Sequence, residues 1–502
     1  MFDANQLNDP SPQALVIGAG IGGLATALRL QASGHHVTLF DAHAWPGGKM
    51  RTVPSEAGPV DAGPTVLTMR HVFDDLFAST GARLEDHATL IREDLLARHF
   101  WPDGTSLDLT SDHEQNARAI TRFANATVAK EYLRFSDEAA SLFDQFSAPM
   151  MLHPDPQLPQ LAKAALAKPR HLPVLSPFAT LRKHLQRRFA DPRLVQLFGR
   201  YATYVGGSPL VAPAILSLVW QAEAAGVWRV DGGMHRLATA LAERFQAIGG
   251  TLRLGTPVDE IVTANGRASG IRLPNGETLS AETIVFAGDP RALATGKLGA
   301  DVKTVAAITR TAPRSFSARV WSFAAKAHAP IDLAYHNVFF GASATDEFEA
   351  IEQGTMPLDP TVYICAEDRG SGAVPEGPER FEIILNAAPL TEAAPPSDEE
   401  ETCRQTTFQT LERFGIRFDP IPPISSLATP ATYEALFPAS AGALYGQSPH
   451  GMTASLKRPR ARTAIPGLYL AGGGTHPGAG VPMAALSGKH AAEAILKDRV
   501  ST

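Results

Sequence analysis

Two cysteines, Cys365 and Cys403, are all the thiol that the 502 residues hold. So few, so far apart, exclude a disulfide framework and a cysteine-built zinc site, and a reducing compartment is the default. No metal site is expected. No apolar run approaches the roughly 20 residues that span a bilayer, so any membrane contact is peripheral. The opening stretch MFDANQLNDPSPQ lacks the basic and apolar regions of a Sec-type signal. A basic excess is also missing: 45 Lys and Arg stand against 51 Asp and Glu, for a formal net charge of −6. That balance gives no support for nucleic-acid binding. Internal repeats are absent, and 502 residues exceed what one core holds, so two or three domains are expected.

Glycine in ordered clusters is what the chain does have. Ala14–Ile17 is a short apolar run ending in Gly18, as a buried parallel strand would. Gly18, Gly20 and Gly23 then spell G-x-G-x-x-G, with Gly22 among them. Gly18 suits a tight turn, Gly20 leaves room for a pyrophosphate, and Gly23 lets a helix approach the strand. The helix is expected over Ile21–Ser33, stopped by Gly34 at C′. A second strand, His36–Phe40, ends on Asp41, about 20 residues past the glycines, where a carboxylate accepts ribose hydroxyls. Next comes WPGGKMR, where Gly47-Gly48 followed by Lys49 and Arg51 suits a loop folding over phosphates; a plain surface turn is the alternative. Asp61-Ala62-Gly63-Pro64-Thr65 reads as a further tight turn, beside the ring of the cofactor.

A second glycine-rich crossing closes the chain: LYLAGGGTHPGAGVPMAALSG, Leu468–Gly488. Two such crossings hundreds of residues apart imply one long cofactor held from both ends, as a flavin dinucleotide is. Between them, Leu252–Leu254, Glu260–Ala264, Ser269–Leu273 and Thr283–Ala287 read as strands, with hairpin turns at Asn265-Gly266 and Asn275-Gly276. The run into Ala287-Gly288-Asp289 resembles a second contact to the dinucleotide. Only one G-x-G-x-x-G follows a strand, so no separate pyridine-nucleotide domain is expected.

These residues resemble the flavin-dependent amine oxidase and phytoene desaturase superfamily: the fingerprint from Gly18 through Asp41 to Gly48, and the segment Asp231–Ile261. The closing T-H-P-G-A-G-x-P is similar to bacterial carotenoid desaturases. LAYHNVFF (Leu333–Phe340), GALYGQSPHG (Gly442–Gly451) and VPMAALSGKHAAEAI look most like the hydroxyneurosporene desaturases, the 1-hydroxycarotenoid 3,4-desaturases. The resemblance implies an α/β fold: a Rossmann-like FAD-binding domain and a discontinuous mixed α+β substrate domain. FAD binding is expected from 1–115, 225–300 and 440–502, and a substrate domain from 116–224 and 301–439. Val258 is implied as a contact to the adenine region. Where amine oxidases carry an acid after the last-strand glycine, this chain has Gly473 and Gly474 after Gly472, so backbone N–H groups must hold the ribityl chain. A helix starting near Pro482 would turn its amides at Val481–Met483 to the flavin's pyrimidine edge, favouring the reduced anion.

The implied activity is introduction of a C-3,4 double bond into an acyclic 1-hydroxycarotenoid in carotenoid biosynthesis, with quinone or oxygen as electron acceptor. A phytoene-type desaturase or carotene isomerase, and a non-catalytic flavin-binding carrier, are the alternatives. The implied location is cytoplasmic, peripheral to an inner or photosynthetic membrane. A bilayer substrate gives meaning to residues 156–190, which hold no acid but seven Lys and Arg (Lys163 to Arg188) among leucines and Phe178. That pattern suits an interfacial segment; a packed basic helix is the alternative. Tyr201–Pro209 and Ala214–Trp220 line a hydrophobic tunnel or serve as core. His476, beside the last glycines, is a candidate base or a structural residue. Lys457-Arg458-Pro459-Arg460 reads as a solvated approach to the last strand, and Ala393–Glu401 as a solvated acidic loop.

Overall fold

The computed structural model describes residues 13–370, 372–391 and 398–500. The N-terminal stretch and most of the acidic loop (392–397) lie outside the described residues. A five-stranded parallel sheet organises the nucleotide end, in the order Leu468–Leu470, Thr283–Phe286, Gln13–Ile17, His36–Phe40, Thr251–Arg253. Gln13–Ile17 is flanked on both edges and its apolar residues are buried, which explains a run without polar alternation. The opening helix, Ile21–Ala32, follows at once. It ends in a Schellman motif, with the His35 amide on the Leu30 carbonyl, the Gly34 amide on that of Gln31, and Gly34 at φ +91°. The closing helix, Val481–Val500, packs against it. A Cβ on Gly488 would sit 2.5 Å from the Gly22 carbonyl oxygen, so glycine permits this approach.

Glu260–Ala264, Arg267–Arg272 and Thr278–Ser280 form a small antiparallel sheet. Its first hairpin turns at Asn265 (φ +51°) and Gly266 (φ +76°), as the Asn-Gly pair requires. The four expected strands lie within two residues of observed ones, while Thr278–Ser280 was not expected.

A larger sheet carries the other unit, in the order Arg417–Asp419, Ser317–His328, Glu379–Ala387, Val362–Ala366, His336–Phe339, Leu95–Phe100, Ser106–Thr110, with Leu427–Ala428 pairing to Ser317–His328. This corrects the expected first boundary at 115. Leu95–Phe100 and Ser106–Thr110 leave the nucleotide end because Leu95–Phe100 pairs in parallel with His336–Phe339, over 230 residues downstream. No local pattern announces so distant a partner. Helices from His113–Phe123 to Val219–Ala224 cover this region. Four of them start on capping side chains, those of Asp112, Asn125, Thr180 and Asp191.

Candidate active site

The two glycine crossings meet in space. Gly18 turns at φ +103° and its amide donates to the Phe40 carbonyl at 2.7 Å. Asp41 is buried and fixed: Oδ2 accepts the Ala19 amide at 2.7 Å, and Oδ1 accepts that of His43 at 2.8 Å. The carboxylate thus braces the turn while lining the cavity beneath it. Gly23 serves the turn itself, since a Cβ there would lie 1.9 Å from the Gly18 carbonyl oxygen. The Trp45–Arg51 loop folds over this turn, with the Gly47 amide on the Ala19 carbonyl at 2.8 Å.

One cavity of about 1340 Å³ runs from these glycines into the helical region. Gly18, Gly20, Gly22, Asp41, Gly48, Lys49, Val258, Gly472, Gly473, Val481 and Met483 all line it. So do Ala62–Thr65, Ala287–Asp289 and, at the far side, Phe143, Met150, Leu158, Leu161 and Leu175. Of the expected site residues, Gly23, Arg51 and His476 stand off the wall. Arg51 lies instead within electrostatic reach of Glu382 and Tyr433.

His476 falls on the structural side of its two readings. Its buried ring sets Nε2 against the His153 carbonyl at 2.8 Å and stacks 5.8 Å from His490, whose Nε2 meets the Met151 carbonyl. Burial holds its pKa down to about 4, so it is neutral near pH 7. The pair anchors the 150s segment and does not reach the cavity.

Arg458 is a correction, buried where a solvated residue was expected. It donates to three carbonyls, of Gly473 (2.9 Å), Tyr445 (3.0 Å) and Gln447 (3.0 Å), and so ties the closing glycines to the 445–447 loop at the cavity wall. Its charged neighbours misled: Arg460 does turn outward, pairing with Asp155. A Lys-Arg-Pro-Arg string carries no periodicity to separate the inward arginine from the outward ones.

Lys49 Nζ donates to the Leu444 carbonyl at 2.5 Å. Burial, with Arg314 and Arg458 nearby, pulls its pKa down to about 8; Asp289 opposes this but is itself paired with Arg314. A buried ammonium short of negative charge, beside a glycine turn, suits an anionic group. Gly20 agrees: a Cβ there meets nothing within 4 Å, so that face of the turn is open. The donor set therefore fits the diphosphate of a dinucleotide.

A buried polar network reaches the cavity wall through Thr65, Arg200, Tyr204 and Tyr363. Tyr201 and Tyr204 each donate to Glu223 at 2.7 Å, and Arg200 Nη2 donates to the Tyr204 hydroxyl at 3.1 Å. Tyr363 donates to Thr65 Oγ1 at 2.8 Å and sits 2.6 Å from His336 Nδ1. The Tyr201–Pro209 reading caught the tyrosines, while Glu223 and Arg200 gave no spacing signal.

The family model for flavin containing amine oxidoreductases matches residues 21–322 and 437–496. The unmatched stretch falls in the larger sheet. Among similar proteins are the hydroxyneurosporene desaturases of Cereibacter sphaeroides (55% identical, covering 98% of each chain) and Rhodobacter capsulatus (49%, covering 97% of this chain and 98% of that one). The 4,4'-diaponeurosporene oxygenase of Staphylococcus aureus is 28% identical over 96% of this chain and 97% of its own. Solved structures share the fold at low identity. A putrescine oxidase superposes with TM-score 0.61 at 15% identity, covering 97% of this chain and 100% of that one. The cyclohexylamine oxidase of Brevibacterium oxydans does so with TM-score 0.56 at 16%, covering 98% and 100%. By its motifs, its fold and these likenesses the chain belongs to the flavin containing amine oxidoreductases, as an FAD-dependent oxidoreductase related to the hydroxyneurosporene desaturases.

Proposed function

We propose that the chain introduces the C-3,4 double bond into an acyclic 1-hydroxycarotenoid such as 1-hydroxyneurosporene. The observation that carries this is the continuity of one cavity, from glycine turns built for a dinucleotide to an apolar bore among helices. The names of the relatives point to the same substrate. Gly18, Gly20, Asp41, Gly48 and Lys49 would hold the ADP half of FAD, and Gly472, Gly473, Val481 and Met483 the flavin half. Bound there, FAD supplies a hydride acceptor for a carbon allylic to the polyene. The chain's own part is to bind, orient and keep water out. Ala62–Thr65 forms part of the cavity wall, and the apolar bore would hold the hydrocarbon in extended form.

Leu158 lines the cavity and is also 68% exposed, so the bore opens at the segment read as interfacial. Leu166 (66% exposed) and Phe178 (85% exposed) lie in the same segment. No helix among the described residues is long and apolar enough to cross a membrane. We therefore read residues 156–190 as a peripheral seat through which a water-insoluble substrate enters from the bilayer. A membrane quinone fits as electron acceptor for the same reason, with oxygen as the alternative. The test is anaerobic incubation of FAD-loaded protein in liposomes with 1-hydroxyneurosporene and a quinone. A product lighter by two hydrogens, with one more conjugated double bond at C-3,4, is expected. Desaturation of phytoene but not of the hydroxylated substrate would overturn the reading.

A further inference from the structure

Arg200 is a cation buried in the wall of a cavity whose helical side is otherwise mostly apolar. Of its three guanidinium nitrogens, only Nη2 has an acceptor, the Tyr204 hydroxyl. Nε has no partner, and Nη1 makes no hydrogen bond among the described residues. Tyr204 gives its own proton to Glu223 and accepts from Nη2 alone. Burial opposes the charge, but Tyr204, Tyr201 and Glu223 restore it and push its pKa above the usual arginine range. Nearby His336 and His99 are held neutral, their pKa values driven to about 3 by burial and then by this cation. A buried guanidinium with idle donors leaves hydrogen-bonding capacity unused, which is costly unless a ligand takes it up.

The surroundings tie this corner to the cofactor side. Tyr363, bonded to His336 and Thr65, joins it to the Gly63–Thr65 turn. That turn presses on the Gly48-Lys49 loop, for a Cβ on Gly63 would lie 2.0 Å from the Lys49 carbonyl oxygen. Thr65, Arg200, Tyr204 and Tyr363 thus form a polar patch in the wall of a cavity whose helical side is mostly apolar.

Resting on the function proposed above, we infer that Arg200, backed by Tyr204, binds the C1 hydroxyl of the substrate and thereby selects hydroxylated over hydrocarbon carotenoids. The substrate is hydrocarbon except for that tertiary hydroxyl, so it offers one acceptor for the idle donor. Only one carbon separates C1 from C3. Holding the hydroxyl therefore sets which bond of the chain stands at the flavin. The Glu223–Tyr204–Arg200 chain keeps the guanidinium charged and oriented whether or not substrate is bound.

The experiment compares 1-hydroxyneurosporene with neurosporene, in wild type and in Arg200→Met, both loaded with FAD. Wild type should favour the hydroxylated substrate by about tenfold or more in kcat/KM, as a hydrogen bond to a charged donor allows. In Arg200→Met that ratio should fall towards one, through a higher KM for the hydroxylated substrate, with neurosporene changed little. An unchanged ratio in a folded, FAD-loaded variant overturns the proposal. Should the variant fail to load FAD, substrate binding to wild type, followed by quenching of tryptophan fluorescence, decides: equal affinity for the two carotenoids overturns it. Failure of the parent reading looks different, since wild type would then not desaturate 1-hydroxyneurosporene at C-3,4 at all.

Discussion

Gly22 and Gly472, 450 positions apart, stand so close that a Cβ on Gly22 would lie 2.5 Å from the Gly472 amide nitrogen. The Gly472 amide in turn donates to Ser487 Oγ at 2.7 Å, in the second turn of the closing helix. The two glycine crossings are therefore one piece of backbone packing, made from both ends of the chain. A dinucleotide seated in the cavity would be held from two sides because the sides touch.

Alanine at two neighbouring glycines should separate folding from cofactor binding. Gly22→Ala drives a methyl into backbone that cannot move aside, so a loss of about 1–3 kcal/mol or failure to fold is expected. Gly20→Ala meets nothing within 4 Å and sits at φ −68°, which alanine adopts freely. Its methyl points into open space on the cavity side of the turn. The FAD-free variant should melt within a degree or two of wild type, yet bind FAD at least about tenfold more weakly. Thermal melts of FAD-free protein and FAD titration give the two readings. Equal FAD affinity would remove Gly20 from the diphosphate site.

How far the residues announced this site follows from where each signal lives. Gly18 to Asp41 is local: strand, turn, helix and acid obey one geometry within a short stretch, and all appear as read. Asp41 alone had a second duty that no pattern revealed, bracing Ala19 through its amide. The strand pair at Leu95–Thr110 was misassigned because its partner is remote. Arg458 and Arg200 were missed or left unassigned because burial of a single arginine depends on which carbonyls and hydroxyls the tertiary fold brings to it. His476 shows why nearness in sequence to the glycines left two readings open: its ring turns to the 150s segment, which no local pattern could show.

Lys49 makes cofactor affinity depend on pH. Its folded pKa of about 8 lies below the ordinary 10.5, so between those values the unfolded chain carries a proton that the FAD-free native protein has released. This group therefore adds stability to the FAD-free protein as pH rises across that window, and the gain is absent below pH 8. A diphosphate beside the ammonium restores the proton. Binding then takes one up, and FAD affinity should fall by up to about tenfold per pH unit above 8. Lys49→Met should flatten the profile and weaken binding at pH 7. Calorimetric titration in two buffers of different ionisation enthalpy reads the proton directly.

Arg458 should matter to stability more than its place in a basic string suggests. Arg458→Met strands the carbonyls of Gly473, Tyr445 and Gln447, and a loss of about 3 kcal/mol is expected. Because Gly473 belongs to the flavin-side ladder, FAD should leave the variant more easily on dilution. Arg458→Lys reaches fewer of the three acceptors and should recover part of the loss. Denaturant midpoints with and without FAD test both.

His476→Gln separates the structural histidine from a base. Glutamine also offers an N–H donor for the His153 carbonyl, so turnover and FAD content should stay within about twofold of wild type. His476→Ala removes that donor and should cost about 1–2 kcal/mol without altering the isotope effect on C–H cleavage. A general base lost to glutamine would instead lower turnover by about a hundredfold or more.

The mouth of the bore makes the last expectation the most specific to geometry. Within 156–190, not all the basic residues are free to meet lipid: Lys168 and Arg170 bond Ser141 Oγ, and Arg188 pairs with Glu138. Lys163, Lys183 and Arg187 are exposed, as are Leu158, Leu166 and Phe178. Changing those three cations to glutamine should lower binding to phosphatidylserine-containing vesicles, at about 1 kcal/mol for each charge, and leave binding to neutral vesicles little changed. Changing Leu166 and Phe178, which do not line the cavity, to serine should lower both. Turnover of substrate supplied in detergent should survive either set, while turnover of substrate dissolved in vesicles should fall with binding. Co-sedimentation and the two turnover assays, run side by side, distinguish a seat on the membrane from an ordinary exposed helix, for which neither set would alter sedimentation.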